Sequence, residues 1–402
     1  MFLVNSRFVV MKILFVSTRF NPFVTPINGD AQRTRLLLKA CARITDVDVV
    51  SFTKIPSNVD VVEIEGARLI FGEEVKNHIN NKKRKTEKWS ALFNPSIEAL
   101  FQINNGWETK LDSILSSEHY DLIVVRYFPR AISCGLWKYR EKLVVDFDDA
   151  LPFYFLNQIS SNSSWSTRAR MRIAAKKAVG ISRRAVKNIH AAFFANEAVA
   201  ALNKGFYLPN LPFHQEGCPD SDMGAYIKRM VFVGQLDYQP NKEGLNHFLE
   251  CIYLPLKDRL PNVELHVVGK IKDKNLHNHW QSFPDVTVTG FVDDLVQEYE
   301  QSQVVVVPVY RCGATNIKLL EAMAMNRACV TTMEAFEKLN GRFESGKDLY
   351  ASSNDGEFVE MLVRLLTDET ENHRVAHNAK TVMDNYYSFD SFCEIVKNAI
   401  VQ

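Results

Sequence analysis

Short, largely apolar runs recur along this chain, and most are followed by a stretch of helical periodicity. A strand buried on both faces reads as an unbroken apolar run, and such strands pair in parallel sheets covered by helices. Residues 13–17, 47–52, 122–125, 143–145 and the weaker 191–195 make one series. The runs at 122–125 and 143–145 both end in charged residues, Arg126 and Asp146. A second series starts at Met230 with Val231-Phe232-Val233-Gly234. It continues through 264–268, closed by Gly269, and 286–289, closed by Gly290, to 304–309 and 328–331. Leu36, Leu37, Ala40 and Cys41 stand at helical spacing within 31–43; residues 245–253 and 317–325 follow the same rule. From residue 355 onward the pattern predicts three helices.

Between the two series lie Pro209-Asn210-Leu211-Pro212 and a turn-rich stretch at 214–224, which mark a domain boundary. A length of 402 residues suits two or three domains. The pattern therefore predicts two doubly wound halves. Ligands of open parallel sheets bind at the carboxyl ends of strands, so chemistry is expected in the loops there, facing a cleft between the halves.

Charge and cysteine usage exclude several classes. Lys and Arg total 48 against 47 Asp and Glu, a net charge of +1, which argues against a nucleic-acid partner. The seven cysteines are scattered and form no C-x-x-C pair, so neither a disulfide framework nor a structural zinc site is expected. A reducing, cytoplasmic compartment is the expectation. No apolar run reaches the roughly 18 residues of a spanning helix. Residues 1–10 lack the order of a signal peptide, and a start at Met11 would open directly on the first strand.

The most informative stretch is 304–332. A buried strand ends at Pro308-Val309, and a small-residue loop, Cys312-Gly313-Ala314, follows. Thr315 is the expected N-cap of the next helix. A helix N-terminus offers unpaired N–H donors and partial positive charge, which suit a phosphate. Lys318 in the first turn adds a full charge, and Glu321 one turn on can accept from a ribose diol; the alternative is a plain surface pair of the two.

The string Gly313-Ala314-Thr315-Asn316-Ile317-Lys318-Leu319-Leu320-Glu321-Ala322-Met323-Ala324-Met325 resembles the donor-site signature of GT-B glycosyltransferases, especially the retaining family-4 enzymes. Residues 231–249, 261–269 and 286–295 resemble the preceding segments of the same family, in order, and 11–52 resembles the start of its acceptor domain. The resemblance implies a GT-B fold of class α/β: two Rossmann-like domains facing across a cleft. Residues 1–212 would bind the acceptor, 213–228 link, 229–385 bind the nucleotide sugar, and 386–402 form a helix returning to the N-terminal domain.

Residue by residue, it implies the following. Glu321 matches the second Glu of the family's E-x7-E motif and would hold the donor ribose. Gly313 stands where the first Glu is usual, so backbone N–H groups of Ala314 and Thr315 would take over part of that role. Gly234 matches the glycine that admits the donor phosphates. Gln235 replaces the Arg often found next, and Lys242 approximates the following Lys, which leaves phosphate neutralisation to Lys318, the helix start and Arg311. In the N-terminal half, Asn28-Gly29 matches the glycine loop after the first strand; a simple turn before the helix is the other reading.

Asp146-Phe147-Asp148-Asp149 clusters acids at a strand end, where carboxylates repel one another. Such a set can bind a divalent cation in GT-A enzymes, but the resemblance implies no metal and no cofactor. Asp148 and Asp149 are the catalytic candidates, with Asp148 where the family often has His; the alternative is capping of the next helix. The stretch 168–187 carries Arg168, Arg170, Arg172, Lys176, Lys177, Arg183, Arg184 and Lys187 with no acid, and reads either as a solvated face or as a contact for an anionic inner-leaflet surface. The pairs His277/His279 and His373/His377 lack further ligands and read as surface residues. The activity implied is retaining transfer, of hexosyltransferase type, from a nucleotide diphosphate sugar to a saccharide or lipid-linked acceptor in glycan or polysaccharide biosynthesis. A nucleotide-sugar epimerase and a non-catalytic scaffold of the same fold are the alternatives.

Overall fold

The computed structural model describes residues 11–25, 29–55, 61–75, 89–94, 96–159, 163–213, 228–292, 294–311, 315–339 and 341–402. The chain divides into two compact units, Met1–Pro209 with Phe392–Gln402, and Asn210–Ser391. The turn-rich stretch 214–224 lies outside the described residues.

The first unit is built on seven parallel strands: β1 (Ile13–Ser17), β2 (Val47–Ser51), β3 (Ala67–Gly72), β4 (Leu122–Arg126), β5 (Leu143–Asp148), β6 (Ala191–Phe194) and β7 (Phe206–Tyr207). Their order across the sheet is β3-β2-β1-β4-β5-β6-β7. β1, β2, β4 and β6 are buried along their whole length, as their largely apolar sequences require. β3 alternates half-buried and exposed residues at the sheet edge, so its sequence carries no such run. Helix α1 (Gly29–Ala42) follows β1, and α2 (Trp165–Val186) precedes β6. α2 buries a small-residue stripe through Ala174, Ala175, Ala178 and Ala185.

The C-terminal helix Phe389–Ile400 belongs largely to this first unit. His190 Nε2 lies 3.1 Å from the Ile400 carbonyl, and Cys393 is close enough to Cys41 of α1 to add to the burial that pushes its thiol up. The last helix therefore rejoins the N-terminal unit, as the resemblance implied.

The second unit has six parallel strands: β8 (Arg229–Val233), β9 (Glu264–Val268), β10 (Val286–Gly290), β11 (Val304–Val307), β12 (Ala328–Thr332) and β13 (Tyr350–Ser352). Their order is β10-β9-β8-β11-β12-β13. Helix α3 (Gln239–His247) follows β8 and runs through a π-helical turn, Phe248–Tyr253, into Leu254–Arg259. Helix α4 (Ile317–Ala324) follows β11, and α5 (Asp355–Thr367) is the first of the three tail helices. Each sheet reverses its strand order once next to its first strand, at β1/β4 and at β8/β11. Those two points are where a parallel sheet leaves room for a ligand beyond its carboxyl edge. Among the described residues no helix is long and apolar enough to cross a membrane.

Candidate functional site

In the second unit the strand ends at the β8/β11 switch converge on one lysine. Gly234 follows β8 and donates its N–H to the Val268 carbonyl at 3.0 Å. α3 comes close to this edge because Gly244 has no side chain: a Cβ there would stand 1.8 Å from the Pro308 carbonyl oxygen. The close approach brings Asn241, buried on α3, over the switch. Its amide donates to the Gln235 carbonyl at 2.8 Å, and its Oδ1 accepts from Lys318 Nζ at 2.5 Å. The Lys318 ammonium also stands 4.9 Å from the centroid of the Phe232 ring, a cation–π distance. A Cβ at Gly234 would lie 2.9 Å from Asn241 Nδ2 and 3.1 Å from Lys318 Nζ. Glycine here is thus a packing requirement.

Asn241 was missed by sequence reasoning. It is a polar residue at a core-facing position six residues after Gln235, and only the approach of α3 to β11 turns it towards Lys318. Lys242, the next residue, is half-buried on the same helix. Arg311 is exposed and ion-paired with Glu243, whose carboxyl it holds low together with Gln239.

The start of α4 differs from expectation. Its N-cap is Asn316, not Thr315, and the cap makes no side-chain hydrogen bond. The Thr315 hydroxyl instead donates to the Lys338 carbonyl at 2.8 Å. The hydroxyl is therefore spent on anchoring the loop, and the helix begins one residue later. Gly313 and Ala314 lie outside the described residues. Glu321 is 4% exposed and accepts from the Tyr299 hydroxyl at 3.4 Å. Burial, and then the Glu321 carboxylate, push the Tyr299 phenol well up. Glu321 is thus a carboxylate held against the interior, not an open surface group.

In the first unit the acids at the end of β5 meet two arginines. Asp146 is fully buried and takes Arg33 in a bidentate pair, Nε–Oδ2 2.8 Å and Nη2–Oδ1 2.9 Å. Arg126, the last residue of β4, adds Nε–Oδ2 at 2.9 Å. The Asp148 carboxylate lies 2.9 Å from Arg126 Nη2 and 3.5 Å from Arg33 Nε. Arg33 further donates to the Leu208 and Pro209 carbonyls, and Arg126 to Thr34 Oγ1. Two guanidinium groups thus neutralise the acids that end β5. Burial raises the Asp146 carboxyl, but Arg33 and Arg126 outweigh it and hold the group below the usual carboxylate range. Burial and the neighbouring Asp146 charge win at Asp148, whose carboxyl is pushed up.

Asp149 accepts from the Ala150 N–H at 2.8 Å, while the N-cap of the next helix, Leu151–Leu156, is Ala150. Asp149 thus braces the loop just before that helix. Tyr127 and Asp148 hold positive φ, +67° and +64°, at the ends of adjacent strands β4 and β5. Such strain in non-glycine residues collects at functional edges. Gly29 is the first residue of α1, and Asn28 lies outside the described residues. Arg33 was invisible to the helical pattern, which places a charge on the face expected to be apolar. The opposite charges ending the β4 and β5 runs were the one available signal.

Residues 227–368 match the family model of group 1 glycosyl transferases. The second unit carries a group 1 glycosyl transferase domain. Gly234, Asn241, Lys242, Lys318 and Glu321 all fall within this group 1 domain. The sequence matches no curated protein. Among solved structures, the chain is similar to sucrose-phosphate synthase from Thermosynechococcus elongatus, with a TM-score of 0.67 at 14% identity over 96% of this chain and 98% of that one. It is similar to Anabaena HepE, solved in complex with UDP, with a TM-score of 0.64 at 14% identity over 97% of this chain and 100% of that one. WaaG, a glycosyltransferase involved in lipopolysaccharide biosynthesis, follows with 0.57 at 16% identity over 97% and 99%. At such identities the likeness shows the fold, which is GT-B.

Proposed function

We propose that the protein transfers a sugar from a nucleotide diphosphate sugar to a saccharide or lipid-linked acceptor, with retention at the anomeric carbon, and that the transfer needs no metal. The observation that carries the reading is Lys318, fixed by Asn241 beside Gly234 at the switch point of the group 1 domain. A diphosphate leaving group develops negative charge as the glycosidic bond breaks. A preset ammonium and the first-turn N–H groups of α4 stabilise that charge without reorganisation. Glu321 is the acceptor for the ribose hydroxyls; Gly313, Ala314 and Thr315 are the further donor-binding residues that the resemblance implies, and Lys242 adds charge. Gly29, at the start of α1, is a further donor-binding residue that the resemblance implies. Asp148, backed by Asp149, orients the acceptor hydroxyl by hydrogen bonding. Retention follows if the departing phosphate takes the acceptor's proton on the same face of the sugar; product anomeric configuration, read by NMR, tests this.

UDP is the first nucleotide to try, since HepE is solved with UDP and with UDP-glucose. A thermal-shift panel of UDP, GDP, ADP, CDP and TDP on wild type and Glu321→Gln tests the donor site. Ligand at about 100 times its Kd adds about 2.7 kcal/mol, a rise of roughly 5 °C in a unit of this size. One nucleotide should shift the wild type, and Glu321→Gln should respond far less. Glutamine is chosen because it keeps the volume and an acceptor for Tyr299. If no nucleotide moves the wild type, the donor-site reading fails.

A peripheral contact with an anionic membrane through α2 is the second part of the proposal. Trp165 is 82% exposed at the start of this basic helix, and Tyr154 lies exposed on the short helix before it. Lys177 is excluded from that face, because its ammonium is bonded to the carbonyls of Ala91, Leu92 and Asn94. Flotation with anionic vesicles should be lost at high salt and absent with neutral lipid; equal recovery with both lipids argues against it.

A further inference from the structure

A second cluster in the group 1 domain stands apart from Lys318. His247 ends α3, and Cys251 follows four residues later within the π-helical turn, so both project from one side of the helix. π-turns of this kind are frequent at functional positions. Asp355, the first residue of α5, meets them from a distant part of the sequence. His247 Nε2 lies 2.9 Å from Asp355 Oδ1, and one ligand atom from each of the three residues falls within 4.8 Å of the others. Cys251 is exposed, and His247 and Asp355 are each about two-fifths exposed, so the group opens to solvent. On its inner side the Tyr310 ring stands edge-on to the imidazole at 4.9 Å, just beyond β11.

We propose that His247, Cys251 and Asp355 form a binding site for a zinc-class transition metal, with a fourth position left to water. Imidazole, thiolate and carboxylate together are a borderline-soft donor set. That set suits zinc and its neighbours and disfavours calcium and magnesium, which take oxygen ligands. Zinc bonds of about 2.0–2.3 Å put tetrahedral ligand atoms roughly 3.3–3.5 Å apart. The His247–Asp355 pair must open slightly and the Cys251 thiol must swing inward, a rotamer change that an exposed side chain can make. On binding, the Cys251 S–H bond breaks, its electron pair forms the metal–sulfur bond, and the proton goes to water; His247 coordinates as neutral imidazole. The metal would staple the end of α3 to the start of α5. It takes no part in sugar transfer and is independent of the donor-site reading. Sequence spacing did not suggest it, because His247 and Cys251 belong to no C-x-x-C or paired-histidine motif and the third ligand lies far downstream.

The test uses the full chain, stripped with a chelator and titrated with Co²⁺ alone. The expected result is a thiolate-to-cobalt charge-transfer absorption that saturates at one equivalent per chain and is displaced by Zn²⁺. Cys251→Ala and His247→Ala should each lose the band and weaken zinc binding by more than the about 10–100-fold typical of losing an outer-shell partner. The metal-free thermal midpoint of Cys251→Ala should equal that of wild type, since the side chain is exposed. Absence of the band in wild type overturns the proposal. So does a band that survives in Cys251→Ala, which would put the metal on another cysteine.

Discussion

Lys318→Ala lowers kcat/KM for sugar transfer by about 10²–10³-fold, the cost of removing one preset donor from a developing oxyanion. Lys318 is half-buried and held by Asn241 Oδ1, so its charge is positioned before the donor arrives. The loss should fall mainly on kcat, because the charge it answers grows only as the diphosphate departs. The fold should tolerate the change: one hydrogen bond at a half-buried site is worth about 1 kcal/mol. Two further variants separate charge from position. Asn241→Ala leaves the ammonium but frees it, and should lose less than Lys318→Ala. Gly234→Ala places a methyl 3.1 Å from Nζ and 2.9 Å from the Asn241 amide, and should act in the same direction through displacement. Steady-state kinetics with the sugar nucleotide chosen by the thermal-shift panel provides the reading. An unchanged kcat/KM in Lys318→Ala would remove this residue from the reaction and leave the α4 N-terminus alone to bind phosphate.

Asp146→Ala destabilises the first unit by about 3–5 kcal/mol, because two buried guanidinium groups lose their shared counter-charge. That corresponds to a fall of roughly 10 °C in the unit's thermal midpoint. Arg33 and Arg126 are each only 3–4% exposed, so water cannot replace the carboxylate. The same pairing fixes the pH dependence. The folded-state pKa of Asp146 lies below its unfolded value of about 3.9, so its contribution is full at neutral pH and disappears as pH falls through the folded value. Wild type should therefore lose stability below about pH 4 more steeply than Asp146→Ala. Asp148→Asn is the contrasting variant. Asparagine tolerates the positive φ at this position and Asp146 still neutralises the arginines, so the midpoint should fall far less than in Asp146→Ala while kcat drops if the carboxyl serves the acceptor. A midpoint for Asp146→Ala within 1–2 °C of wild type would mean that the arginines find other partners and the box does not hold the β4 and β5 ends together.

The two domains of parallel sheet were legible because the evidence for them is local. An apolar run such as Val304–Val307 reports burial on both faces whatever it pairs with. Edge strands β3 and β13 were not legible, because one is half-exposed and the other spans three residues beside a single neighbour. Lys318 and Glu321 could be singled out because a helix N-terminus after a small-residue loop is itself a sequence motif. The cap was misplaced by one residue, since Thr315 found a better partner in Lys338 than in its own helix.

Asn241, Arg33 and Arg126 belong to the other category. Each is a polar residue whose meaning comes from a partner on a different element: Lys318 for the first, Asp146 for the others. The group of His247, Cys251 and Asp355 is of the same kind. By itself the sequence determined the α/β character, which rests on periodicity, and the resemblance that singled out a donor-binding half, which rests on contiguous motifs; the return of the last helix was implied by that resemblance. Only the tertiary structure decided which charges neutralise one another, because ion pairs and ligand sets are set by the crossing of strands and helices and leave no period in the chain.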